Sequence, residues 1–209
     1  MPPSHPRRPA FLGKVALESL GGSPDPAEIA EVAHQTASLL VDAGRRSTDA
    51  AERERLVRLV DDVGLDTIAE MWSSRPARSL PGALWRLYAV REWVCRDAVG
   101  AAADFAGGRE VAAVSSVVAG AADPPTPDAV RDLVDAVLHG VFSGELDVAL
   151  ERAGAFCRVV VAGRVRRADE LEAEDPERAA TLTRAAASLR DTAEDLEASA
   201  MLWRAKNLV

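Results

Sequence analysis

S-L-P-G-A-L-W-R-L-Y-A-V-R-E-W-V-C-R-D-A-V, residues 79–99, carries two of the four tryptophans (Trp85 and Trp93), the one tyrosine (Tyr88) and one of the two cysteines (Cys95). The rest of the chain is poor in aromatic side chains, so this stretch brings much of the bulky apolar surface. It reads as a central helix that other helices pack around. At about 100° per residue, Leu84, Leu87, Tyr88, Val90, Val94, Cys95, Val99 and Ala102 cover one broad arc. Arg91 and Glu92 project within that arc, and Trp93 falls on the polar side with Arg86 and Asp97. Two readings follow. In the first the helix is buried nearly all round and Arg91 pairs with a carboxylate from a neighbouring helix, Asp61, Asp62 or Glu70 being the candidates. In the second Tyr88, Arg91 and Glu92 line a polar pocket. The first is preferred, because buried charges in helical bundles are normally paired.

The composition agrees with a helical fold. Of 209 residues, 48% are hydrophobic but only 4% aromatic, and alanine, leucine and valine dominate, a mix that suits closely approaching helices. The net charge of −8 argues against a dedicated polyanion binder. No apolar run approaches the ~20 residues needed to span a bilayer. Arg7 and Arg8 precede F-L-G-K-V-A-L, but Lys14 and Glu18 interrupt the run, so it is not taken as a signal peptide. Cys95 and Cys157 lie far apart in apolar surroundings and are expected as free, buried thiols. The cytoplasm is the expected compartment, with no membrane partner.

Residues 1–24 are expected as an arm: four of the twelve prolines fall in residues 1–9, and Phe11, Leu12, Val15 and Leu20 are spaced as a short amphipathic helix. Residues 25–168 are expected as the bundle. Asp25-Pro26-Ala27-Glu28 is a strong helix start, and on the wheel Ile29, Val32, Ala33, Thr36, Leu39, Leu40 and Ala43 form one stripe up to the stop at Gly44. Further helices are expected over 48–64, around Ile68 to Trp72 with Asp66 as cap, and from the central stretch to Phe105 and Gly107-Gly108. Residues 109–122 fit a strand or a short helix, the valine spacing favouring the helix. Thr126-Pro127-Asp128 opens another helix, with Val130, Leu133, Val134, Val137, Leu138 and Val141 on one face, and the next carries Leu146 to Val161.

Residues 169–209 are expected as a charged linker and a last helix. The run from Arg164 to Asp175 is read as solvated. From Asp175-Pro176 onward, Leu182, Ala186, Leu189, Ala193, Leu196, Ala200 and Trp203 recur in steps of four and three, a heptad seam of alternating leucine and alanine. Such a seam packs on the body of the protein or on a second copy of it. The fold expected is all-α, a single-domain bundle of seven to eight helices.

Chemical motifs are sparse. Glu31-Val-Ala-His34 matches one Glu-x-x-His element of di-iron bundles, but Glu31 and His34 fall opposite the Ile29/Val32 stripe, and His139 falls opposite the Val130/Val137 stripe. A bundle metal site is built inward, so no metal ligand is assigned. No nucleotide-binding glycine loop, nucleophile elbow or zinc-protease motif occurs, so no catalytic or cofactor-binding residue is assigned. The arginine groups Arg45-Arg46, Arg75 with Arg78, and Arg164 with Arg166 and Arg167 lie at helix ends or loops.

L-P-G-A-L-W-R-L-Y-A-V-R-E-W (80–93) and V-L-H-G-V-F-S-G-E-L (137–146) resemble segments of uncharacterised actinobacterial helical proteins. The resemblance implies a helical fold and brings no activity and no catalytic residue. The leading expectation is a non-enzymatic accessory or regulatory protein acting through protein contacts, with Trp93, Leu182, Leu189, Leu196 and Trp203 as candidate interaction residues and self-association through the last helix. The alternatives are a binder or enzyme using Tyr88, Arg91 and Glu92, and a nucleic-acid-linked factor using the arginine groups.

Overall fold

The structure, a computed structural model, describes residues 25–111 and 125–209. Among these residues there are nine helices and no strand: α1 (Pro26–Arg46), α2 (Ala50–Val57), α3 (Leu59–Val63), α4 (Leu65–Trp72), α5 (Leu80–Arg96), α6 (Ala98–Val111), α7 (Pro127–Ser143), α8 (Leu146–Leu171) and α9 (Pro176–Arg204). The chain is an all-α bundle, and no helix among the described residues is long and apolar enough to cross a membrane. The expectations for residues 1–24 and 112–122 lie outside the described residues.

The helix starts follow local chemistry. Asp25, Ser79, Thr126 and Asp175 each accept a backbone N–H of the first turn through a side-chain oxygen, and each is followed by proline within the first two positions. Asp66 does not cap α4: it lies inside the first turn, after Gly64 at φ 83°. Two expected helices are divided. Residues 48–64 break at Arg58 into α2 and α3. The central helix breaks at Asp97 (φ −131°, ψ 58°), whose carboxylate accepts the Gly100 N–H at 3.0 Å. Gly107 and Gly108, read as a stop, stay helical because α6 crosses α8 there.

Helix α5 is largely buried and touches α1, α4, α6, α7, α8 and α9. The densest packing, however, is around α8, which lies against α9, α6 and α7. Small residues make this possible. A Cβ on Gly163 would sit 1.8 Å from the Asp104 carbonyl oxygen, and one on Gly108 would sit 1.8 Å from that of Val159. The α6 and α8 backbones are therefore in direct contact, with Phe105 stacked on Phe156 at 5.4 Å beside them.

The heptad seam of α9 is used inside the chain. Ala186, Leu189, Ala193, Leu196 and Ala200 are buried, in the helix pair α8/α9 that packs most extensively of all. Leu182 and Trp203, at the ends of the seam, are half-buried. Gly154 of α8 faces Ala193 and Glu197, which lets the helices close up. Arg158 grips Glu197 through two hydrogen bonds of 2.5 and 2.6 Å, and Arg204 reaches back to Asp147 and Glu151. Helix α8 continues through the charged run to Leu171, which leaves only residues 172–175 as a connection.

Helix α1 departs from the wheel. Its buried positions are Ala33, Ala37, Val41 and Gly44, whereas Val32 is 57% and Leu39 63% exposed. Close approach decides this: a Cβ on Gly44 would lie 2.6 Å from Phe142 Cβ of α7. The small residues face the core and the larger apolar ones are left outside.

Candidate functional site

Tyr88, Arg91 and Glu92 do not converge on one cavity. Tyr88 is fully buried, its ring stacked 6.4 Å from Trp72, and its hydroxyl donates to the Leu56 carbonyl oxygen at 2.6 Å. Arg91, only 4% exposed, donates through Nη1 and Nη2 to Asp61 and through Nε to Asp135 at 2.7 Å. Burial works to lower its pKa, but the hydrogen bonds to Asp61 and then Asp135 outweigh this and hold the guanidinium above its ordinary value. Glu92 is half-buried and accepts from Arg96 one turn on. Of the candidate partners, Asp61 is one; Asp135 comes from α7, and its position there gives no hint of the contact. The two carboxylates keep 46% and 33% of their side-chain exposure. Arg91→Ala is therefore expected to lower stability by about 2 kcal/mol, less than the ~3–5 for breaking a fully buried pair, because water can take over the freed carboxylates. Urea unfolding checks this, and an unchanged midpoint would contradict the pairing.

The half-buried tryptophans have a different setting. Trp85 and Trp93, two turns apart on α5, form one wall of a cleft of about 350 Å³ together with Arg86, Ala89 and Val90. The opposite wall is Ala185, Ser188, Leu189 and Thr192 of α9, and Arg164 of α8 closes the end. The spacing of four along α5 and of three and four along α9 turns one face of each helix into the groove. The Arg164 guanidinium lies 4.8 Å from the centre of the Trp93 ring, a cation–π contact. This explains a tryptophan on the polar side of its helix: its covering is supplied by α8. Arg164 is held in turn by Asp104 of α6 through an Nε–H···Oδ2 bond of 3.0 Å. Arg167 Nη1 lies 3.0 Å from the other oxygen of Asp104. Arg86 is tied to Gly82 and to Asp195 of α9. The cleft thus presents aromatic walls, two guanidinium groups in fixed positions, and the hydroxyls of Ser188 and Thr192.

A wider cleft of about 610 Å³ lies along α8 and α9 between Arg158, Arg166, Asp169, Glu170 and Arg190, and has no aromatic lining. Trp203 lines a third, of about 500 Å³, with Arg45, Asp147 and Arg204. Of the remaining sequence candidates, Leu189 borders the tryptophan cleft, whereas Leu196 is buried between α8 and α9 and offers no free surface. The arginine groups are dispersed. Arg164 and Arg167 meet Asp104, Arg166 meets Glu110 and Glu170, Arg78 meets Asp195, and Arg46 bonds its own helix.

Glu31 accepts from Gln35, His34 lies by Ser38, and His139 is 3.9 Å from Glu54. Among the described residues no group of three or more metal-type ligands forms. Both cysteines are free thiols. Burial pushes Cys157 up to about 12, against a smaller opposing pull from Arg164, and desolvation also raises Cys95 and Tyr88. A raised pKa in the folded chain means that the unfolded chain loses its proton first. The stability held by Cys157 is complete below about pH 9 and is lost as pH rises towards 12. Above about pH 9 Cys157 is expected to remove about 1.4 kcal/mol per pH unit, seen as a falling urea midpoint that Cys157→Ala partly flattens. A flat alkaline profile would contradict the burial.

Comparison with protein-family models, curated proteins and solved structures finds no match to this chain. The reading of the site rests on its own geometry.

Proposed function

We propose that this chain is a non-enzymatic helical accessory protein that binds a partner protein through the Trp85/Trp93 cleft. The carrying observation is the Trp93–Arg164–Asp104 relay, which fixes an arginine and an aromatic ring at a surface groove through a buried carboxylate. Tryptophan and arginine are the side chains that contribute most at protein interfaces, and fixing them beforehand reduces the entropy lost on binding. A groove between two helices suits an apolar anchor from a partner helix or extended segment, with flanking carboxylates reaching Arg86 and Arg164. The two free cysteines and the helical build accord with a cytoplasmic protein. Self-association through the α9 seam is not part of this reading, because α8 covers the seam.

Ser188 is exposed at the rim of the cleft, so Ser188→Arg fills the groove and spares the core. Tagged wild-type chain purified from its own host is expected to carry a partner that the Ser188→Arg chain loses at least about tenfold, a change of ~1.4 kcal/mol. A partner retained equally by both would remove the cleft from the account.

A further inference from the structure

The turn after α9 closes a pocket that shares no lining residue with the tryptophan cleft. Helix α9 ends in a Schellman motif. The Lys206 N–H donates to the Trp203 carbonyl oxygen at 2.9 Å, and the Asn207 N–H to that of Leu202 at 2.8 Å. The left-handed position of such a motif is usually glycine. Here it is Lys206, at φ 58° the one non-glycine residue with positive φ among the described residues. Beyond it Leu208 is buried and the Val209 carbonyl oxygen accepts the Leu80 N–H at 3.4 Å, so the turn is tied down. The resulting pocket, of about 500 Å³, is lined by Arg45 from the last turn of α1, Asp147 from the first turn of α8, and Trp203, Arg204, Lys206 and Leu208.

The charges in this pocket are unevenly matched. Arg204 is taken up by Asp147 and Glu151. Arg45 and Lys206 make no ion pair or hydrogen bond among the described residues. Arg45 runs beside the α7–α8 turn, its Nε 3.7 Å from where a Cβ on Gly144 would stand. Trp203 is half-buried in the same lining. We infer that this pocket seats a nucleoside monophosphate, with its base against Trp203 and Leu208 and its phosphate on Arg45 and Lys206. A phosphate monoester carries about −1.5 to −2 charges near neutral pH, which two unpaired cations from separate elements match. An indole ring offers a stacking surface to any base. The volume lies within the ~300–1,000 Å³ of small-ligand pockets, more than an inorganic phosphate ion fills. A lysine held where glycine is favoured is accounted for by the charge it brings to this pocket. This inference is independent of the tryptophan cleft and of the partner proposed for it.

Isothermal titration calorimetry on the full chain tests it, with AMP, GMP, CMP and UMP as probes and inorganic phosphate and the matching nucleosides as controls. At least one monophosphate is expected to bind about tenfold or more tighter than inorganic phosphate and than its own nucleoside. The double variant Arg45→Ala/Lys206→Gly is expected to weaken that monophosphate at least about tenfold. Both positions are exposed and glycine suits the backbone at 206, so the melting temperature should not fall. Trp203→Leu is expected to bring the monophosphate down to the affinity of inorganic phosphate. A wild-type chain that binds none of the four would overturn the proposal. So would equal affinities for monophosphate and inorganic phosphate, which would leave the base without a seat. Binding undiminished in a folded Arg45→Ala/Lys206→Gly chain would overturn it too, since it would place the ligand elsewhere.

Discussion

Gly163→Ala is expected to prevent the native fold from forming at ordinary temperature. The added Cβ would lie 1.8 Å from the Asp104 carbonyl oxygen and 2.7 Å from the Gly108 amide nitrogen. All the nearest atoms are backbone, so no side chain can swing aside and α6 must move off α8. That movement pulls apart the Phe105–Phe156 stack and the buried Asp104–Arg164 pair. A loss of about 4 kcal/mol or more follows, a large share of the ~5–15 kcal/mol that holds a typical domain together. Gly107→Ala, facing Gly163 from α6, is the control. Its Cβ would find nothing closer than 3.6 Å, and replacing a helical glycine by alanine gains about 1 kcal/mol. Thermal unfolding followed by circular dichroism should separate the two neighbours in opposite directions. Equal melting temperatures would show that the helices are not in backbone contact.

The second large effect is expected at Asp104. Its carboxylate is almost wholly buried and faces both Arg164 and Arg167. Asp104→Ala leaves the Arg164 guanidinium, itself 9% exposed as a residue, without its counter-charge. An unpaired buried charge costs about 3–5 kcal/mol. The effect should also reach the cleft. Arg164 is positioned over Trp93 by Asp104, so the variant should change tryptophan emission under conditions where the fold persists. Asp104→Asn, which keeps the shape and one acceptor, should lose less stability. Urea midpoints for the pair measure the first effect. An Asp104→Ala chain as stable as wild type would mean that the arginines are solvated.

Much of the architecture was legible because it depends on local chemistry. The cap-and-proline starts at Asp25, Thr126 and Asp175 needed only neighbouring residues, and so did the heptad seam of α9. What failed depended on distance between elements. Size-weighted periodicity placed Ala33 and Leu40 of α1 inward but missed Ala37, Val41 and Gly44, which face the core where α1 comes close to α7. Arg164 looked solvated because it stands in the run R-V-R-R. Its buried partner is a lone aspartate in A-A-A-D-F, sixty positions away. Trp93 stood out on the polar side of α5, but the reason came from α8. The cleft itself was not legible, because Ser188 and Thr192 become neighbours of Trp85 and Trp93 only once α9 has folded over α5. Arg91 shows the mixed case: its place on the apolar arc was readable from the wheel and Asp61 stood among three candidate partners, whereas Asp135 was not foreseen.

The proposed docking of another protein in the groove between α5 and α9 is open to direct test. A photoreactive amino acid in place of Ser188, in the full chain made in its own host, tests it most directly. A discrete cross-link to another protein is expected from that position, absent when the same group replaces the exposed Val63 on α3. No cross-link from position 188, or the same products from both positions, would contradict it.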